Sequence, residues 1–404
     1  MLLTLFLASL WFLMALARQR SVGIVGGGLG GLATAVSFSM GGHASRIHVY
    51  DRASGPGIGG ASAVAAGLLH PFTPRGRLIY KGLEGFRATR AMLDLIQERV
   101  PNHPPLYRAG KSIVRPFFDQ NSQSTWTHAV ENYPTWLKLL NSEQFRELSN
   151  VKSSTALGAV VMENTLSVDA PEYLRGLWKV VQSFLPGSTD WKCESFSTSS
   201  QVEDLLNDHD IVIVACGVGV SRLWPGEQLA FKYVRGQNLI FPKIPSATAH
   251  LENSLLCGEY VIPRESDILV GATHEYDTIE NLLITDSSPN STYAEALLRD
   301  SLHGLYPILD NIKPIGCQAG VRVVSQRSHF GKLPVISAYS KYPDRMWLLT
   351  GFGARGMIHH ALMADILVCA ANQRPNGNSR IPPELFVSDG DGDGSEARWG
   401  CSSM

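Results

Sequence analysis

The feature that most constrains this chain is a run of glycines near its start, Gly26, Gly27, Gly28, Gly30 and Gly31, inside "VGIVGGGLGGLATAVSF" at 22–38. The spacing Gly26-x-Gly28-x-x-Gly31 fits a fingerprint in which a strand turns sharply into a helix. The first glycine allows the turn, the second lets a phosphate approach the main chain, and the third lets helix and strand pack closely. The context agrees. Residues 22–25 form a short apolar run, read as a buried parallel strand. Leu29, Leu32, Ala33 and Val36 recur at helical spacing. Residues 46–50, "RIHVY", read as a second strand ending at Asp51. An acid about 20 residues past the glycines is where such folds hold a ribose. A pyrophosphate would then rest on the free N–H groups at the positive helix end. The expectation is a βαβ unit that cradles a dinucleotide.

Three further stretches narrow the cargo. "GIGGASAVAAGLLHP" at 57–71 is a second loop of small residues directly after the acid. Its main chain would continue along a long cofactor, and glycine and alanine let a flat ring come close. "DIVIVACGVGVS" at 210–221 reads as a late parallel strand ending at a glycine. "LLTGFGARGMIHHALMADIL" at 348–367 reads as strand, glycine-rich turn and helix. That offers a second positive helix end to a reduced flavin, with Arg355 beside the negative charge. These loops point to FAD. The residues expected against it are Gly26, Gly28, Leu29, Gly30 and Gly31 of the first loop, with Asp51 and Arg52. Gly60, Ala61, Ser62, Ala66, Gly67, Leu68 and Gly217 follow, then Phe352, Gly353, Ala354, Arg355, Gly356 and Met357.

Along the rest of the chain, helices are expected at 83–99, 171–185, 292–303 and 356–371. Strands are expected within 105–117, 157–163, 229–241, 259–263, 268–273, 318–325 and 346–350. The ends read as parallel, the middle as alternating and antiparallel. With 404 residues there is room for two domains. The formal net charge of −1 gives no global basic footprint for nucleic acid. Six scattered cysteines, none in a CxxC pair, suggest neither zinc nor a disulfide framework. Residues 1–17 are almost wholly apolar, with Ala15-Leu16-Ala17 resembling a small-residue cleavage site. A cleaved targeting leader is the first choice, an uncleaved anchor or a misplaced start codon the others, so secretory or organellar placement stands beside a soluble cytoplasmic one. The tail from Ser388 is rich in Gly, Asp and Ser and is expected to be disordered. Its acidic spacing mimics a calcium loop, but Gly400 stands where a bidentate glutamate is needed, so no metal is assigned.

Gly26/Gly28/Gly31, Asp51, Gly60-Ala61-Ser62, Gly67-Leu68, "GATHE" at 271–275, "AGVR" at 319–322 and "GFGARG" at 351–356 together resemble the D-amino-acid-oxidase-like FAD-dependent oxidoreductases. Within that group, which includes glycine and sarcosine oxidases, the chain is most similar to the oxidoreductase domain of the bifunctional tRNA-modifying enzyme MnmC and its stand-alone plant and algal relatives. The resemblance implies an α/β fold: a Rossmann-like FAD domain with an inserted, mainly antiparallel α+β substrate domain. The FAD domain would comprise 21–104, 166–226 and 316–375, and the substrate domain 105–165 and 227–315, between a leader at 1–20 and a tail at 376–404. It implies FAD held without a covalent bond, since Arg322 stands about where some relatives place a flavin-linked cysteine; Cys317 is a weak reserve. It also implies that Arg322 clamps a substrate carboxylate, with Tyr260, His274 and Arg355 at the substrate. The expected activity is oxidation of the C–N bond of an amino acid or secondary amine, with dioxygen as acceptor. The alternative is a tRNA wobble-uridine enzyme acting on a carboxymethylaminomethyl group. His70, His274, His359 and His360 fall in or near these motifs, and packing is the first reading for each.

Overall fold

The computed structural model describes residues 19–404 except 108–110, 152, 227–228, 245–250, 277–280, 282–287, 373–380 and 386–404. The expected leader, and the tail beyond Leu385 with its calcium-like spacing, therefore lie outside the described residues. No helix among the described residues is long and apolar enough to cross a membrane.

Two sheets organise the chain. The first has six strands, in the order Val335–Ala338, Met346–Thr350, Ile211–Val214, Arg20–Val25, Ala44–Asp51 and Thr189–Cys193. Every neighbouring pair is parallel except the first. Arg20–Val25 is central, with Ile24 paired to Val49 on one side and Ile213 on the other. Both faces of this strand are covered, which is why it reads as an unbroken apolar run rather than an alternating one. Helices Leu29–Met40, Gly82–Arg99, Ala170–Phe184 and Gly356–Ala371 pack over one face and over each other. The helix Ala170–Phe184 starts where Asp169 accepts the N–H of Glu172 at 3.0 Å, with Pro171 in the first turn.

The second sheet is mostly antiparallel. Its path runs Glu275–Tyr276, Lys232–Pro242, Asp267–Gly271, Glu259–Pro263, Ser254–Cys257, Ile113–Phe117, Gly158–Met162 and Leu137–Asn141, with Gly316–Val324 also alongside Lys232–Pro242. Only Ser254–Cys257 and Ile113–Phe117 run parallel. Helix Ser291–Leu305 covers one face through Ala294, Leu298 and Leu302.

The expected fold class holds, and most expected elements appear within two or three residues of their predicted ends. Four differences have physical reasons. Of the strand pieces expected within 105–117, the described residues form Ile113–Phe117. Helices Gln120–Asn132 and Ser142–Ser149 were not expected, although Asp119 caps the first and Asn141 with Gln144 forms a capping box on the second. Gly316–Val324, grouped by sequence with the FAD domain, pairs along nine residues with Lys232–Pro242 and so belongs to the substrate sheet. Finally, the tail is ordered at 381–385: Ile381 and Leu385 are buried in the main core, and Glu384 accepts a hydrogen bond from Tyr80.

Two predictions follow from this packing. A Cβ added to Gly85 would come within 2.1 Å of the Ile358 carbonyl oxygen, so helices Gly82–Arg99 and Gly356–Ala371 touch backbone to side-chain-free backbone. Gly85→Leu should lower the melting temperature, with a destabilisation of about 1–3 kcal/mol or more typical of overpacking; an unchanged melt would refute the contact. Burial also holds His209, His359 and His360 down to about 4. Between that value and the unfolded value of 6.5, the unfolded chain binds more protons than the native one. Stability to urea should therefore fall as pH drops from about 6.5 towards 4, and a flat urea midpoint across that window would contradict their burial as neutral rings.

Candidate active site

The glycine turn sits at the carboxyl end of the central strand, flanked by strands on both sides, which is where a parallel sheet opens a crevice. Gly26 has φ of +107°, and a Cβ there would lie 2.4 Å from the Ala215 carbonyl oxygen. A Cβ on Gly31 would lie 1.9 Å from the Gly26 carbonyl oxygen. Helix Leu29–Met40 thus starts directly against the strand, with no side chain at its N-cap, Gly28, and no acid in its first turn. Its positive end is left to the crevice. Asp51 ties the turn down: one carboxylate oxygen accepts the Gly27 N–H at 2.7 Å, the other the Ala53 N–H at 2.8 Å.

Two cavities, of about 220 and 320 Å³, run on from this point. They share Leu29, Ala61, Ser62, Gly217, Val321, Thr350 and Phe352, so they form one elongated groove. The first is walled by Gly26 to Gly30, Asp51, Arg52 and Gly60. Trp191 forms its floor; its indole N–H donates to the Ala53 carbonyl at 2.9 Å, and a Cβ on Gly27 would collide with its ring at 2.1 Å. Ser62 faces the helix start, accepting the Leu29 N–H at 3.1 Å. The second cavity is walled by Ala66, Gly67, Leu68, Gly353, Ala354, Gly356 and Met357 on one side. Tyr260, His274 and Arg322, from the substrate sheet, close the other.

Most expected site residues therefore meet in one groove, and two do not line it. Gly31 packs helix on strand, as its motif position requires. Arg355 is the correction. Gly353–Arg355 is a single turn of 3₁₀ helix, in which successive side chains point about 120° apart. Ala354 and Gly356 face the cavity, while the Arg355 guanidinium lies by Gly331, 3.8 Å from a Cβ built there, and feels the like charge of Arg327. Cys317 also drops out. It is five residues before Arg322 on the same strand, so the two side chains take opposite faces. Its Sγ packs by Gln237 at 3.7 Å.

The electrostatics of the second cavity are one-sided. No aspartate or glutamate lines it among the described residues. Arg322 is half-buried, and its Nη2 is buried with no hydrogen-bond partner among the described residues. Gly236 makes room for it: a Cβ there would stand 3.2 Å from that nitrogen. Burial pulls the Arg322 pKa below its ordinary value. His70 is half-buried and held down to about 4, first by desolvation and then by Arg115 and Arg355. His274, at the rim, is lowered by burial and by Arg322. Burial raises Tyr260 above the usual phenol range. The rim is braced from behind by the buried Arg235–Glu275 pair at 2.7 Å, with Gln237 donating to the same carboxylate at 2.9 Å.

Sequence reasoning missed three residues here. Asn238 accepts the Tyr260 hydroxyl at 2.7 Å and donates to the Val64 carbonyl at 2.7 Å, joining the substrate sheet to the small-residue loop. A polar residue in the apolar run "NLIF" was the available signal. Thr350 carries a buried, unpartnered hydroxyl at the seam of the two cavities. Trp191 had no sequence signal, because its place depends on strand pairing. His359 and His360, by contrast, are core histidines of helix Gly356–Ala371, His360 bonded to Tyr173 at 2.8 Å.

The groove suits FAD on these observations. It has a helix end with no N-cap side chain, a cradle of glycines where side chains would clash, an orphaned hydroxyl at midpoint and a small-residue wall beyond it.

Comparison with known proteins agrees. The DAO family, described as FAD dependent oxidoreductase, matches residues 21–370. A 173-residue segment is 30% identical to the tRNA 5-methylaminomethyl-2-thiouridine biosynthesis bifunctional protein MnmC of Caulobacter sp. (strain K31); it covers 41% of this chain and only 25% of that protein. The fold is similar to that of glycine oxidase from Geobacillus kaustophilus, with TM-score 0.71 at 18% identity over 90% of this chain and 97% of that one. It is similar too to iminodiacetate oxidase from Chelativorans sp. BNC1, with TM-score 0.69 at 17% identity over 91% and 99%. With the family matched from the first core strand to the last helix, and a groove that fits its cofactor, the chain belongs to the DAO family of FAD-dependent oxidoreductases.

Proposed function

We propose that this oxidoreductase acts on the C–N bond of a small amine or amino acid that carries a carboxylate. The observation that supports this reading most is Arg322, a buried and incompletely satisfied guanidinium in a cavity wall without acids. Such a group is stabilised by a carboxylate, which it grips through two parallel N–H donors. Tyr260 has its proton committed to Asn238 and keeps a lone pair for an amine N–H. His70 and His274 are neutral at pH 7, and no wall carboxylate can act as base among the described residues. The amine therefore reacts unprotonated, having lost its proton to solvent. Bound FAD supplies a two-electron acceptor: the substrate Cα–H leaves as hydride, and water hydrolyses the resulting imine to an oxo acid and the free amine. The closed, small-residue wall and Arg322 would supply orientation. In this reading dioxygen is the final acceptor and hydrogen peroxide the product to assay.

The MnmC match favours a second reading, in which the amine is a carboxymethylaminomethyl group on a tRNA wobble uridine, itself an N-substituted glycine. Arg322 would serve that carboxylate equally. The net charge of −1 weighs against an extended RNA footprint. tRNA binding that weakens steeply with salt would favour this second reading.

The first test is the visible spectrum of the purified protein, with flavin bands near ~450 nm as the sign of the bound cofactor, followed by a peroxide assay across an amine panel. Arg322→Ala should retain FAD and raise KM for carboxylated amines roughly 10- to 100-fold, the loss expected for one charge-assisted contact. Arg322→Lys should recover only part of it, since an ammonium cannot match the fork. Unchanged kinetics in Arg322→Ala would end the clamp reading.

A further inference from the structure

Asn238 fixes a proton as well as a seam. It is buried in the strand Lys232–Pro242, and its amide lies between two different partners. Nδ2 donates to the Val64 carbonyl at 2.7 Å, and a carbonyl can only accept. The amide oxygen is thereby turned to Tyr260, whose hydroxyl must donate to it, at 2.7 Å. Tyr260 makes no other hydrogen bond among the described residues. Burial raises its pKa, so the proton stays on the phenol. What the phenol presents to the cavity is a lone pair. Gly271 lets the two side chains meet: a Cβ there would lie 2.3 Å from Asn238 Oδ1 and 3.0 Å from the Tyr260 oxygen.

The same sheet face carries Arg322. Cross-strand register sets Tyr260 opposite Gly271, Gly271 opposite Asn238, and Arg322 opposite Val234. Val234, Gly236 and Asn238 alternate onto one face, and Arg322 Nη2 stands over Gly236, 3.2 Å from a Cβ built there. The guanidinium and the phenol oxygen therefore occupy adjacent steps of one face, a step being about 7 Å for two residues of strand. Both side chains line the cavity.

We propose that Asn238 is a positioning residue that makes Tyr260 an obligate hydrogen-bond acceptor. The site then selects a substrate with an N–H beside the carboxylate-bearing carbon, a primary or secondary amino acid, and excludes tertiary amines. This rests on the amine-oxidising reading above and specifies its substrate. The reaction favours the same arrangement. As the Cα–H leaves with its electron pair to bound FAD, the nitrogen lone pair closes to C=N and the nitrogen becomes positive. A phenol that donated to the nitrogen would hold that pair back. One that accepts from the N–H leaves the pair free and faces the growing positive charge with a lone pair of its own. The carboxylate is left to Arg322, because Tyr260 has no proton to give it.

The test uses the full-length holoenzyme and an unreactive pair of similar shape. Pyrrole-2-carboxylate and furan-2-carboxylate both offer a carboxylate to Arg322; beside it one carries N–H where the other carries an oxygen. Binding is read from the perturbed flavin absorbance. The wild type should bind the pyrrole about tenfold or more tightly, because the furan sets oxygen against oxygen. Asn238→Leu frees the Tyr260 proton to turn to the furan, so the ratio should fall towards one, whereas general damage to the cavity would weaken both ligands alike. Asn238→Asp still accepts the phenol proton and should keep the ratio; Tyr260→Phe should lose it. The wild type should also oxidise sarcosine in preference to N,N-dimethylglycine. Equal binding of the pair by the wild type, equal kcat/KM for the two amines, or a ratio unchanged in a flavin-loaded Asn238→Leu protein would overturn the proposal. If Asn238→Leu does not fold, the wild-type pair and Tyr260→Phe decide. Pyrrole selectivity without oxidation of any amine would instead refute the amine-oxidising reading and leave the acceptor site standing.

Discussion

The contact on which everything else rests is between two pieces of backbone. The carbonyl oxygen of Gly26 sits where a side chain on Gly31 would be, at 1.9 Å from its would-be Cβ. That closeness lets helix Leu29–Met40 begin immediately at the end of the central strand. The helix start has no capping side chain at Gly28 and is aimed at the crevice, with Ser62 holding the Leu29 N–H and the positive end of the helix turned to where a phosphate would bind. Asp51, on the next strand, can then reach back to Gly27. A longer or looser connection would place the same residues without the same field.

From that turn the groove extends because three chain segments that are distant in sequence converge on it. The loop around Ala61 and Ser62 comes from the first sheet, Phe352 to Met357 from the last strand and helix, and Arg322 from the substrate sheet. Gly320 is what allows the sheet to approach: a Cβ there would lie 2.8 Å from the Ala61 Cα. Asn238 adds a polar link across the same seam. The cofactor wall and the substrate wall are therefore joined by main-chain contact and by the Asn238–Val64 hydrogen bond, while Tyr260 holds Asn238 in place. The result is a cavity whose sides are chemically different, apolar towards the small-residue loop and cationic towards Arg322.

The legibility of the site follows from its construction. Gly26, Gly28 and Gly31 were readable because their spacing at a strand-to-helix turn is itself the signal, although Gly26 also clears Ala215 and Gly28 clears Ser62 from distant parts of the chain. Asp51 was readable because it is one strand away. Arg322 entered through resemblance, since nothing in "AGVR" alone says that its Nη2 is buried with no hydrogen-bond partner among the described residues. Arg355 was misplaced because "GFGARG" does not disclose which residue of a tight turn faces inward; the 3₁₀ geometry decides that. Asn238, Trp191 and Thr350 act across strands, and a linear reading has no period or spacing that pairs them.

The sequence by itself determined most of the elements, the dinucleotide turn and the change from parallel ends to an antiparallel middle, because apolar periodicity and glycine sterics act over a few residues. Only the tertiary structure decided which side chains share a cavity. It moved strand Gly316–Val324 to the substrate sheet, set Arg355 beside Gly331 and off the cavity lining, and brought His70 and Arg322 into one cavity. The physical reason is that charge and burial are properties of neighbours, and most neighbours in this groove are more than a hundred residues apart along the chain.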